Sequence, residues 1–292
     1  MGHATYSVSS RTLRSTAKGY DTKPVTQIFT QSAEKKIHAE MSPKGVVRRE
    51  SRDSEAHPLT VPIQLYLDVT GSMGQIPHEL VKTGLPTLMS RLIQNGVPDA
   101  SLMFGAIGDH ECDRFPLQVG QFESGDAELD MWLTRTYLEG GGGANAGESY
   151  LLAWYFASRH TVTDAWDKRK KKGFVITIGD EPCLPSLPAN AVKELMGNTA
   201  EAQGTFTMEA LYAEACERHH VYHIHVNHGR YGAHTWTPLL GQDLIEVSDI
   251  STIPAVISDL ILRHMNEVVT EQPASTEEAS AKAKDDTIPD ML

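Results

Sequence analysis

Residues 65 to 74 read LYLDVTGSMG, and the types and spacing of three of them could hold a metal ion. Asp68, Thr70 and Ser72 stand two residues apart, one carboxylate and two hydroxyls on the turn that leaves an apolar run. Every donor is a hard oxygen. Oxygen ligands with few anions among them suit Mg2+, Mn2+ or Ca2+, ions that keep water and leave room for an outside ligand. The simpler alternative makes Thr70 and Ser72 caps of a helix starting near Gln75, with Asp68 a turn residue. Two further apolar runs end the same way, in Asp109 after FGAIG and Asp180 after FVITIG. One such aspartate is ordinary loop chemistry, whereas three at one edge of a sheet are harder to dismiss.

For the three to meet, the runs that carry them must be neighbouring parallel strands. From residue 61 onward, apolar runs alternate with amphipathic helical spacing, the pattern of a mostly parallel sheet covered on both faces. The spacing predicts strands over 62–69, 100–109, 173–180, 221–226 and 243–248, with 115–122 an edge strand because proline opens it. Helical spacing covers 76–94, 127–139, 147–160, 207–220 and 251–265. The expected class is therefore α/β, a doubly wound, mostly parallel sheet. Ligands collect at the carboxyl edge of such sheets, the edge at which Asp68, Asp109 and Asp180 would lie.

A chain of 292 residues, 40% apolar, is long enough for a full core. Its net charge of −12 is uneven. Residues 1–57 carry an excess of about four positive charges and residues 270–292 an excess of about four negative ones, which leaves the middle strongly acidic. We divide the chain into an N-terminal arm (1–57), the α/β domain (58–269) and an acidic tail (270–292). The tail lacks aromatics and periodicity and is expected to be disordered; the arm has scattered apolar residues, such as Ile28 and Phe29, with which it would dock or stay extended. An acidic surface argues against nucleic acid as a partner. Neither a signal peptide nor a run of about 18 apolar residues is evident, so no membrane partner is expected. Cys112, Cys183 and Cys216 form no CxxC pair. A cytoplasmic location follows as the expectation.

LDVTGSM followed by an amphipathic helix, a glycine-rich turn and then FVITIGDEPC resembles the von Willebrand factor type A domain, over roughly residues 61–269. The metal-ion-dependent adhesion site of that family is written D-x-S/T-x-S, then a loop threonine, then a strand-terminal Asp. The resemblance implies a Rossmann-like doubly wound fold with magnesium held by Asp68, Thr70 and Ser72 from the first motif and Asp180 from the last. The middle motif departs from the commonest form, since EGGGGANAGESY (139–150) has no threonine. It is closer to the Gly-Gly-Gly-Asp-x-Pro-Glu loop of another branch, which puts Asn145 where that branch has Asp and Glu148 where it has Glu. Asn145 would then supply an oxygen or a bridging water and Glu148 an outer acceptor or a direct ligand, with Asp109 in the outer shell. The implied function is a protein–protein interaction module whose Mg2+-type ion (or Mn2+ or Ca2+) takes a carboxylate from an Asp or Glu of a partner. Relatives of this kind in the cytoplasm often work in multiprotein assemblies or beside AAA+ ATPases.

Other readings compete. The glycine run could cradle an anion, but no G-K-[ST] or GxGxxG accompanies it, and glycines that let the loop pass close to a metal explain it better. RHHVYHIHVNH, residues 218–228, places His223 and His225 on one strand face, a zinc pair without a third ligand. DKRKKKG, residues 167–173, is a solvated turn or a docking patch for an acidic partner at the far edge of the sheet. A metal-dependent hydrolase such as a phosphoaspartate phosphatase needs D-x-D, and Thr70 stands where its second acid would be. A scaffold with a degenerate metal site is the blandest alternative.

Overall fold

The computed structural model describes residues 4–141, 147–200, 203–227 and 232–270, without the side chains of Ser72, Thr199 and 266–270. Four short elements come before the sheet: α1 (Val8–Lys18), α2 (Val25–Ile28), α3 (Thr30–Glu34) and β1 (Arg49–Ser51). α1 is started by the Ser7 hydroxyl, which accepts from the Ser10 amide, and stopped by Gly19 in the left-handed region at φ 70°. Its polar sequence hides it from hydrophobic periodicity, because the one residue it fully buries is Arg11.

The second part of the chain alternates strand and helix, with β2 (Val61–Asp68), α4 (Gln75–Glu79), α5 (Leu85–Gln94), β3 (Ala100–Ile107), β4 (Leu117–Val119), α6 (Asp126–Thr134) and α7 (Leu151–Arg159). After them come β5 (Thr161–Thr163), α8 (Asp164–Arg169), β6 (Gly173–Gly179), β7 (Ser186–Pro188), α9 (Ala189–Met196), β8 (Thr205–Thr207) and α10 (Met208–Arg218). The last are β9 (His219–Val226), α11 (Ala233–Leu240), β10 (Leu244–Val247) and α12 (Ile253–Thr270). The fold is a doubly wound α/β sandwich. Its six-stranded sheet has the order β10-β9-β6-β2-β3-β4, parallel except for β4, which runs antiparallel at the edge. The five strands expected from continuous apolar runs, and the edge strand opened by proline, are all present. Such runs are stable only when both faces are covered.

Alternation along β2 splits its side chains between two cores. Ile63, Leu65 and Leu67 pack in one apolar cluster with α4, α5, α6 and α12. Tyr66 faces the other, with α7, α9, α10 and α11, and by the same period Asp68 lies on the Tyr66 side. Gly105 on β3 leaves room for the Tyr66 ring, since a Cβ there would lie 2.4 Å from Tyr66 Cδ1.

The arm docks on the first core, where Phe29 and Met41 are fully buried. Arg11, also fully buried, lies 3.2 Å from Asp130 of α6, and Asp130 further accepts from Tyr20 Oη at 2.7 Å and pairs with Lys18 at 3.0 Å. The Arg11 guanidinium also donates to the Val81 carbonyl. Val81 belongs to a single π-helical turn, Leu80–Gly84, that joins α4 to α5. The charged stretch before β2 is fastened to the domain: β1 pairs in parallel with β5, and Arg52 reaches Asp164 at 2.8 Å. None of the described helices is long and apolar enough to cross a membrane.

Candidate metal centre at the carboxyl edge

The chain leaves β2 toward β3 on one side of the sheet and leaves β6 toward β9 on the other. A crevice opens outside the carboxyl ends of two strands whose connections diverge in this way. Asp68 is the last residue of β2, and Asp180 follows β6 directly. Gly179 makes their approach possible: a Cβ there would lie 1.8 Å from Tyr150 Oη and 2.9 Å from Asp68 Oδ2.

Asp68 is fully buried, and each of its oxygens accepts a hydrogen bond. Oδ1 takes the Thr70 amide at 2.9 Å and the Thr70 hydroxyl at 2.6 Å; Oδ2 takes Tyr150 Oη at 2.8 Å. The capping alternative therefore fails for Thr70, whose hydroxyl caps no helix amide. Ser72 lies in the short 3-10 turn Gly71–Gly74 that leads into α4, and its side chain is outside the described residues.

The glycine-rich loop is seated on this turn. The Gly71 amide donates to the Gly141 carbonyl at 2.7 Å and the Glu139 amide to the Val69 carbonyl at 3.1 Å. Asn145 lies outside the described residues. Beyond it the backbone of Glu148 is laced to the segment after β6, by Glu148 N to Pro182 O at 2.9 Å and Leu184 N to Glu148 O at 3.0 Å. The Glu148 carboxyl is buried, shares a hydrogen bond with the Thr70 side chain, and keeps Oε2 without a partner among the described residues.

Asp68, Thr70 and Glu148 are thus brought together, with Asp180 close enough for its charge to act on Asp68. Burial raises the Asp68 carboxyl well above the usual range, against the pull of the Thr70 and Tyr150 hydrogen bonds, and the charge of Asp180 raises it further. Burial also raises Glu148, followed by repulsion from Asp68, Asp113 and Asp109. No lysine or arginine pairs with Asp68 or Glu148 among the described residues. Two buried acids that repel each other and face no cation are suited to a bound positive ion. Among the described residues, no three His, Cys, Asp or Glu side chains form a ligand set by themselves. A shell at this place would need hydroxyls as well, the donors that the D-x-T-x-S spacing offers. The donors present fit a hard divalent cation.

Asp109 is nearby but differently employed. Its Oδ1 accepts from the Glu111 amide at 2.9 Å, the turn role of an ordinary strand-terminal aspartate, while Oδ2 is buried without a partner among the described residues. Tyr150 and Ser149, the latter bonded to His110 Nδ1 at 2.7 Å, were not among the residues singled out from sequence. Their only signal was position, directly after Glu148. Of the histidine pair, His223 stacks on Trp236 at 3.7 Å and meets Thr177 Oγ1 at 2.9 Å, while its Nε2 and both ring nitrogens of His225 are buried without a partner among the described residues; no third His, Cys, Asp or Glu among the described residues joins the pair in a ligand set.

No family model matches the chain, and no curated protein matches it. Among solved structures it is similar to the pilus adhesin SpaC of Lactobacillus rhamnosus GG in an open conformation, with 10% identity, TM-score 0.45, and coverage of 74% of this chain and 31% of that one. It is also similar to proximal thread matrix protein 1 of the mussel byssus, with 10% identity, TM-score 0.43, and coverage of 73% of this chain and 49% of that one. A second structure of the byssus protein, with a zinc-occupied MIDAS motif, gives 10% identity and TM-score 0.40 over the same shares, 73% and 49%. The chain thus spans less than half the length of each of these proteins.

Proposed function

We propose that this chain is a von Willebrand A–type interaction module that binds a protein partner through a divalent cation at the carboxyl edge of its sheet. Asp68, Thr70, Glu148 and Asp180 would hold the ion, with Ser72 and Asn145 as further donors; magnesium or manganese suits them best. The ion would supply an electron-poor point that attracts an aspartate or glutamate of the partner. The observation that carries this reading is the buried Asp68–Glu148 pair, bridged by the Thr70 hydroxyl and lacking a cationic side chain among the described residues. Asp68 is better placed as a holder than as a nucleophile, since both of its oxygens already accept hydrogen bonds. A cytoplasmic setting belongs to this reading as well; no disulfide joins Cys112, Cys183 and Cys216 among the described residues.

The test is to identify proteins retained by the wild-type chain in magnesium and lost both with a chelator and with Asp68→Ala. Retention unaffected by either change would favour the degenerate scaffold. Metal-dependent turnover of a generic phosphate ester at about one per second, stopped by Asp68→Asn, would establish the hydrolase instead.

A further inference from the structure

At the opposite edge of the sheet from Asp68 lies an apolar groove with a basic rim. It has a volume of about 340 Å3 and is floored by the amino ends of β2 and β6, with Val61, Pro62 and Phe174. Leu59, 60% exposed, stands at its mouth, and Met265 of α12 forms a wall. Strand β2 separates it from the carboxyl edge by about 23 Å, at roughly 3.3 Å per residue. The rim carries Arg169, Lys171 and Lys172 of the basic run 167–173. Lys168 and Arg169 are neutralised by Asp53 and Asp164. Lys170, Lys171 and Lys172 have no carboxylate within 4.0 Å among the described residues. Lys172 spends its ammonium on the Cys216 carbonyl and Lys170 sits over Trp166, neither of which offsets charge.

We propose that this groove is the docking site of the chain's own acidic tail, specifically of DDTIPDML, residues 285–292. That segment, outside the described residues, has the complementary chemistry: Asp285, Asp286 and Asp290 for the lysines, and Ile288, Met291 and Leu292 for the apolar floor. It is also tethered in the right place. α12 carries the groove wall at Met265 and runs to Thr270, about 8 Å further at 1.5 Å per residue, where the tail begins. Fourteen residues, 271–284, lie between, and a random coil of that length would span about 20 Å, enough to reach back. A tether of that length gives millimolar effective concentration, so a weak contact suffices.

The experiment is zero-length carbodiimide cross-linking of the full chain at micromolar concentration, as a mixture of isotopically light and heavy protein, read by mass spectrometry. The expected result is cross-links from Lys171 and Lys172 to Asp285, Asp286 or Asp290 within chains of one isotope. The paired substitution Ile288→Ser and Leu292→Ser leaves every carboxylate in place. It should nonetheless lower their yield about tenfold, because it removes the apolar anchor. Three results would overturn the proposal: yields spread evenly over lysines elsewhere such as Lys23 and Lys193, yields unchanged by the paired substitution, or cross-links only between light and heavy chains. The last would make a second copy the occupant.

Discussion

Thr70 is where the two meanings of a D-x-T-x-S run separate. A capping threonine accepts from a helix amide; this one donates to Asp68 and is shared with Glu148, so its oxygen sits between two buried acids. Glu148→Gln should lower magnesium affinity about tenfold or more. It should leave the metal-free protein as stable as before, and more so at alkaline pH, because a neutral amide replaces an acid that burial and its acidic neighbours keep from ionising; calorimetry and thermal melts read the two effects separately. Since both carboxyls hold their protons above the usual range, metal must displace protons. Affinity should therefore rise with pH, and the heat of binding should depend on the buffer's ionisation enthalpy. Without metal the sign for stability is opposite: the folded chain keeps protons that the unfolded chain has released, so these groups cost stability as pH rises above the ordinary carboxylate range. Tyr150→Phe takes a donor from a buried carboxylate and should cost about 1–3 kcal/mol in chemical denaturation. Asp68 could be read from sequence because its chemistry is local, two residues from Thr70. Tyr150 could not, because an aromatic before an apolar helix looks like core, and its partner lies 82 residues away.

At the scale of elements, what was legible depended on how each one is held. β2, β3 and β6 are continuous apolar runs, and their periods identify them. α1 is held by ions instead, and α9 and α11 are short, so no apolar stripe of useful length announces them. The charge-based docking of α1 gives a sharp expectation. Asp130→Ala would leave Arg11 buried without its counter-charge and should cost about 3–5 kcal/mol. Replacing Arg11 by Met and Asp130 by Leu together should recover most of that, in equilibrium urea unfolding. Gly179 is the corresponding point at the site. Gly179→Ala would drive a Cβ against Tyr150 and should destabilise strongly; adding Tyr150→Phe removes the contact at 1.8 Å but leaves the ring carbon at 2.7 Å, so the rescue should be partial.

The molecule as a whole carries an acid-side weakness apart from its carboxylates. His219 and His220 are each held down to about 4, first by burial, then by positive neighbours: Arg218 and Lys172 for the former, His264 and Lys172 for the latter. The unfolded chain takes these protons near pH 6.5 and the folded chain does not, so their contribution is complete above pH 6.5 and is lost as pH falls toward 4. For fully buried His219 that amounts to about 3 kcal/mol at most; half-exposed His220 contributes less. Thermal melts between these limits should show the loss, and His219→Gln should flatten the curve. The ion pairs of the arm have a consequence in time as well as in energy. Tyr20 and Asp130 are 110 residues apart, and Arg14 and Asp126 are 112 apart. At a synthesis rate of about 5–20 residues per second, the first partner of each pair waits on the order of ten seconds for the second. Phe29 and Met41, destined for full burial, are without their core for much of that interval. The arm is therefore made early and placed late, and the long closures it needs should make this chain a slow folder that depends, while being made, on something to shield its first forty residues.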